Sequence, residues 1–207
     1  VLRRREAFGR QVQVLALEHF MLPEPLDYCA TRNDHTPEIA GTELAANEPL
    51  LVYAYTPGAT LREWVQEDTT IQQLAEPMAP LEAIEIVSKI AEFLAYLHRE
   101  GYSHVAINPD HFLYHRGSLR VLGLSKIAPI DRKTGYACPY EPPALPAAER
   151  PYTHPEALAS GRFGLANEWR GLGFLLVFLI SGECPSQFVR EPGDTWPLDR
   201  LGDLPVC

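Results

Sequence analysis

The strongest hydrophobic periodicity in the chain runs from Pro80 to Glu100, where Leu81, Ile84, Val87, Ile90, Leu94 and Leu97 recur three or four positions apart. That spacing predicts an amphipathic helix buried along one stripe. Pro80 suits its first turn and Gly101 its C-terminal cap. A second helix is predicted near Ala166 to Ile180, closed by Ser181-Gly182, and its apolar run from Leu172 to Ile180 marks it as buried. Near the start, Phe8, Val12, Leu15 and Leu17 lie at roughly helical spacing between Arg5 and His19, and Pro23 and Pro25 end that segment.

Between these helices the pattern shortens. Pro49-Leu-Leu-Val-Tyr-Ala-Tyr reads as a buried strand, followed by a turn at Thr56-Pro-Gly-Ala. Thr60 and Glu63 form a capping-box pair, which predicts a helix carrying Leu61, Trp64 and Val65. An irregular stretch from Tyr102 to His111 precedes Phe112-Leu-Tyr-His, a turn at Arg116-Gly-Ser, and Leu119-Arg-Val-Leu-Gly-Leu, which together predict a hairpin. Residues 129 to 155 hold seven of the nineteen prolines, so a long surface loop is expected there.

Composition narrows the function classes. With 207 residues and 46% hydrophobic composition, the chain can bury a core as one domain or as two small lobes around a cleft. The net charge of -9, from 27 acidic against 18 basic residues, opposes an electrostatic grip on nucleic acid or anionic lipid, so neither is an expected partner. Cys29, Cys138, Cys184 and Cys207 form no CxxC pair, which signals neither a zinc site nor a disulfide framework and favours a reducing, cytoplasmic setting. The longest apolar run is far shorter than the roughly 20 residues of a membrane-spanning helix. No basic-then-apolar leader opens the chain at Val1, and the expected true N-terminus lies upstream.

Several strings then resemble, in order, the landmarks of the eukaryotic-type protein kinase family. Phe8-Gly-Arg-Gln-Val-Gln-Val-Leu-Ala-Leu-Glu-His is similar to the regulatory helix of the small lobe. Leu51-Val-Tyr-Ala-Tyr-Thr-Pro-Gly-Ala-Thr-Leu is similar to the last small-lobe strand, the hinge and the next helix. Tyr102-Ser-His-Val-Ala-Ile-Asn-Pro-Asp-His-Phe-Leu lies on the family's His-Arg-Asp-Leu-Lys-Pro-x-Asn-Ile-Leu catalytic loop. Gly117-Ser-Leu-Arg-Val-Leu-Gly-Leu-Ser takes the place of the hairpin ending in Asp-Phe-Gly, and His154-Pro-Glu that of Ala-Pro-Glu. Glu168 to Pro185 resembles the buried large-lobe helix, so the likeness covers about residues 6 to 186. It implies an α+β fold of the kinase-like bilobal type: an incomplete small lobe and hinge over 1-58, and a mainly helical large lobe over 59-207.

The same resemblance places the chemistry, and there the chain departs from it. Phosphoryl transfer needs a carboxylate at the acceptor hydroxyl, a cation on the phosphates and oxygen ligands for magnesium. The catalytic aspartate position holds Ala106, the loop lysine position Asn108, the magnesium-binding asparagine position His111 and the Asp-Phe-Gly aspartate position Gly123. The glutamate that pairs with the strand lysine is matched by Gln11, and only Arg3 or Arg4 lies near that lysine's place. Losing the base and both metal ligands, at roughly 3 kcal/mol each, would put turnover below detection.

The expectation is therefore a pseudokinase with no catalytic residues, no metal and no cofactor. It would act as a scaffold or allosteric regulator of a protein partner or adjoining domain, with ATP binding weak or absent. The alternatives are a nucleotide sensor, in which Tyr53, Ala54 and Tyr55 line a vestigial nucleotide cleft, or a weak atypical phosphotransferase with Asp110 as a rescue base. His104, Glu156 and Glu168 match positions whose family role is structural. Tyr136, Tyr140 and Tyr152 fall in the proline-rich stretch, which is either a docking surface or a stiffened loop remnant.

Overall fold

The computed structural model describes residues 2-30, 38-39, 42-43, 49-66, 78-137 and 150-184, with side chains over 8-27, 50-65, 78-137 and 150-184. In chain order the helices and strands are α1 (Leu2–Leu15), β1 (Pro25–Ala30), β2 (Glu38–Ile39), β3 (Thr42–Glu43), β4 (Pro49–Tyr53), β5 (Ala59–Thr60) and α2 (Leu61–Gln66). There follow α3 (Pro80–Arg99), β6 (Tyr102–His104), β7 (Phe112–His115), β8 (Ser118–Val121), β9 (Ile127–Pro129), α4 (Pro155–Ser160) and α5 (Leu165–Ser181). The class is α+β. Its sheets are small: β1 pairs with β4, β2 with β3, β6 with β9, and β5, β7 and β8 form a three-stranded antiparallel sheet.

α3 and α5 pack against each other and carry the core. Ile90, Phe93, Leu94 and Leu97 meet Leu172, Leu175, Phe178 and Leu179 in one buried cluster, joined by Phe112, Leu119 and Val121 of the hairpin and by Val14, Met21 and Leu22. α3 has the predicted length, but its buried face is rotated from the predicted stripe. Leu81 and Ile84 are 70% and 50% exposed, whereas Ala83, Ile86 and Phe93 are buried. At about 100° per residue, the two arcs share Ile90, Leu94 and Leu97 and diverge only toward the N-terminus. Only the position of α5 selects between them.

Local chemistry explains the shorter elements. The capping box is reciprocal: Thr60 N–H donates to the Glu63 carboxylate at 2.7 Å, and Glu63 N–H to the Thr60 hydroxyl at 3.1 Å. The β7–β8 hairpin turns on Arg116 and Gly117, with φ of 49° and 79°, as a two-residue hairpin of type I′ requires. α1 ends at Leu15 instead of continuing toward His19. The His19 ring packs against Phe93 and Tyr96, at centroid distances of 5.0 and 4.7 Å, and its Nδ1 accepts from the Met21 N–H.

Two further expectations need correction. Pro49–Tyr53 is a strand, but Val52 and Tyr53 are exposed. It lies in a two-stranded pair with β1, a strand that the prolines at 23 and 25 concealed. In the proline-rich stretch, of which 138-149 lie outside the described residues, the ends are not plain loop: Ala137 bridges both Ile130 and Phe163, and α4 begins at Pro155. Tyr140 and residues 187-207 lie outside the described residues. No helix among the described residues is long and apolar enough to cross a membrane.

Candidate functional site

The segment joining β6 to β7 is held from below by two adjacent residues of α5. Glu168 accepts from the Ser103 hydroxyl at 2.7 Å and from the His104 N–H at 3.0 Å through one carboxylate oxygen. Its other oxygen lies 2.6 Å from His98 Nε2 of α3. Asn167 donates through Nδ2 to the Val105 carbonyl at 2.9 Å and accepts from the His154 N–H at 2.8 Å. Close approach completes the seat, since a Cβ on Gly171 would stand 2.8 Å from the Cβ of Ile107. Burial pushes the Glu168 carboxyl up, and the donors Ser103, His98 and His104 oppose it.

Within that seat the loop bonds to itself. The Asn108 side chain is buried and turned inward, where Oδ1 accepts from the Asp110 N–H at 2.9 Å and caps the 3-10 turn at Pro109–His111. His111 Nδ1 stands 2.6 Å from the Ala106 carbonyl, and Nε2 stands 3.3 Å from the Asn108 amide nitrogen. Both contacts are satisfied by a neutral imidazole with the proton on Nδ1. Burial lowers the His111 pKa to about 4, against the Ala106 carbonyl's pull in the other direction, so neutrality is also the electrostatic preference.

The His111 ring leaves no room beside Gly123. A Cβ there would lie 2.8 Å from His111 Cγ, 3.0 Å from His111 Cβ and 3.1 Å from His104 Nε2. His104 is fully buried, stacks on Phe112 at 5.9 Å, and neither ring nitrogen finds a hydrogen-bonding side chain. Burial and the neighbouring His111 hold its pKa well below the usual histidine value. Ala106, Asn108, His111 and Gly123, far apart in chemistry, are thus neighbours in a closed, uncharged patch. Among the described residues no group of three or more His, Cys, Asp or Glu side chains is arranged to hold a metal ion.

The rim is anchored by a contact that sequence reading missed. Arg62 Nε of α2 lies 2.8 and 2.9 Å from the two oxygens of Asp110, so the carboxylate is engaged in an ion pair. Burial would lower the Arg62 guanidinium, but the hydrogen bond and charge of Asp110 raise it overall. No local spacing could reveal this pair, because 48 residues separate its members. His98–Glu168 and Asn167–His154 were hidden for the same reason.

The remaining candidates lie on other elements. Gln11 is half-buried on α1, which packs against β4 and the turn at 124-126. Tyr53 and Tyr55 are exposed, and Ala54 N–H donates to the Glu24 carbonyl at 2.9 Å. Glu156 is exposed, and Tyr152 is buried against Phe174. Arg3 and Arg4 lie in α1, not in a strand, although their side chains fall outside the described residues.

No family model matches the chain. It is 27% identical over 170 residues to the L-type lectin-domain containing receptor kinase S.1 of Arabidopsis thaliana. The aligned region is 76% of this chain and 23% of that protein, so the chain spans just under a quarter of the length of the curated relative it matches.

Proposed function

We propose that this chain is a kinase-like domain of the bilobal type that has lost phosphotransfer and serves as a pseudokinase, binding or allosterically controlling a protein partner or an adjoining domain. The observation that carries this reading is the imidazole of His111, locked to Ala106 and Asn108 and filling the space over Gly123. In the frame of a kinase loop, those four residues stand where the base, the phosphate-facing lysine and both magnesium ligands would be needed. Ala106 has no group to accept a proton. Asn108 spends its carbonyl oxygen on a backbone cap, and a neutral imidazole is a poor match for magnesium, which prefers oxygen ligands.

The likeness to a plant receptor kinase supports the framework, and the tether from Glu168 to the His104 backbone supports a loop kept rigid without its chemistry. Asp110 is the nearest alternative base, and both of its carboxylate oxygens are engaged by Arg62 Nε. A phosphotransfer assay with magnesium or manganese and ATP is expected to show no turnover above a heat-treated control. Robust turnover that disappears in Asp110→Asn would sink the proposal.

A nucleotide sensor remains the second reading, resting on the position of Tyr53, Ala54 and Tyr55 at the end of β4. Thermal-shift titration with ATP or ADP in the absence of metal separates the two. The pseudokinase scaffold predicts no shift at millimolar nucleotide.

A further inference from the structure

On the other side of Asn167 lies a feature that the loop chemistry does not use. An open cavity of about 310 Å³ is lined by Tyr136, His154, Glu156, Ser160, Arg162 and Gly164, together with the first turn of α5. Arg162 has its guanidinium carbon 4.5 Å from the Tyr136 ring centroid. It forms no ion pair with any described residue, although the Glu156 carboxylate lines the same cavity. The Tyr136 ring is in turn seated on Gly164, where a Cβ would stand 3.0 Å from the ring.

A stacked guanidinium is oriented by the ring while its in-plane N–H groups stay available to an acceptor, and such a fork matches the two oxygens of a carboxylate or phosphate. At about 310 Å³ the cavity lies at the lower end of ordinary ligand-pocket volumes, and one wall is aromatic. The Arg162 side chain is exposed, so its guanidinium is open to a ligand, and the acidic residue of the lining, Glu156, makes no ion pair with it.

We propose that this cavity is a recognition site for an oxyanion-bearing peptide side chain, a carboxylate or a phosphate, held by Arg162 against the Tyr136 wall. The site meets the loop at 102-124 through Asn167 and through Ala157, which packs in one cluster with Val105, and shares none of Ala106, Asn108, His111 and Gly123, so its fate is separable from that of the pseudokinase reading. Glu156 opposes the anion and sets a modest affinity, in the millimolar range, suited to one contact point in a larger interface.

The test is an amide-resonance titration of the whole chain with phenyl phosphate and, separately, with N-acetylglutamate, using benzyl alcohol as the uncharged control. An oxyanion should shift Arg162, Gly164 and Ala166 while leaving Ala106 to His111 in place. Arg162→Gln should weaken binding about tenfold or more, and Glu156→Gln should tighten it about two- to fivefold. Preference for one probe identifies the source as a phosphorylated or an acidic residue. Absence of shifts at about ten millimolar, an unchanged affinity in Arg162→Gln, or the same shifts with benzyl alcohol would each overturn the proposal.

Discussion

Gly123 and His111 occupy adjoining space, and the contact can be probed from either side. Adding a methyl group at 123 drives it into the imidazole, with Cβ 2.8 Å from His111 Cγ. Gly123→Ala is therefore expected to cost about 1–3 kcal/mol by urea denaturation, the usual penalty of overpacking. In a His111→Ala background the contact with the ring disappears, whereas those with the 111 Cβ at 3.0 Å and His104 Nε2 at 3.1 Å remain, so only part of that cost should be relieved, giving a coupling energy of about 0.5–1 kcal/mol in a double-mutant cycle. On the proposed pseudokinase reading, introducing aspartates with Ala106→Asp and Gly123→Asp should for the same reason fail to create phosphotransfer while His111 keeps its place.

The same histidine makes stability pH-dependent. Its folded pKa of about 4 lies below the unfolded value of 6.5, so the unfolded chain binds more protons between those values. His111 then contributes stability that is complete above pH 6.5 and is lost as the pH falls toward 4, on the order of 3 kcal/mol in total. His104, also lowered, acts in the same direction. Glu168, raised by burial, acts oppositely: its contribution is present at low pH and is lost as pH rises through its folded pKa. A melting series in wild type and His111→Asn isolates the imidazole term, and the acid-side fall in melting temperature should be shallower in the variant.

At the scale of elements, α5 matters less for its apolar run than for two polar residues in its first turn. Asn167 and Glu168 satisfy the Val105 carbonyl, the His104 N–H, the Ser103 hydroxyl and His98 in one place. Glu168→Ala would leave those donors buried and unsatisfied, at a cost of about 3–5 kcal/mol. Hydrogen exchange at the His104 amide should accelerate by more than tenfold, well before any change at the α3 core.

The faces of α3 make a second element-scale prediction. Phe93→Ala should cost about 3–5 kcal/mol, whereas Leu81→Lys, at an exposed site, should stay within about 0.5 kcal/mol. Reversal of that ranking would restore the predicted stripe. Thr60→Ala removes one arm of a reciprocal cap on α2 and should cost about 1 kcal/mol.

For the whole molecule, the helix pair α3–α5 is the frame, and the loop at 102-124 is a polar layer laid across it. The Arg62–Asp110 pair ties α2 to that layer, and the Asn167–His154 bond ties it to α4. A partner that moved α2 or α4 would thus act on the loop through one or two specific contacts. Arg62→Gln tests this link: it should free Asp110 and raise exchange at the Asp110 and His111 amides while leaving the α3–α5 core protected.

Much of this was legible without coordinates. Capping at Thr60 and Glu63, the Arg116-Gly117 turn and the span of α3 all follow from interactions within a few residues, which sequence spacing encodes directly. The side-chain chemistry of Ala106, Asn108, His111 and Gly123 is also read directly from the sequence, because none of the four carries a carboxylate or a permanent positive charge in any fold. Tertiary structure alone decided that the His111 ring fills the space over Gly123, that Asp110 is claimed by Arg62, and which arc of α3 turns inward. Each depends on groups brought together from distant parts of the chain, where burial sets the charge state and a gap of a few tenths of an ångström decides what fits. Spacing along the sequence carries no record of either.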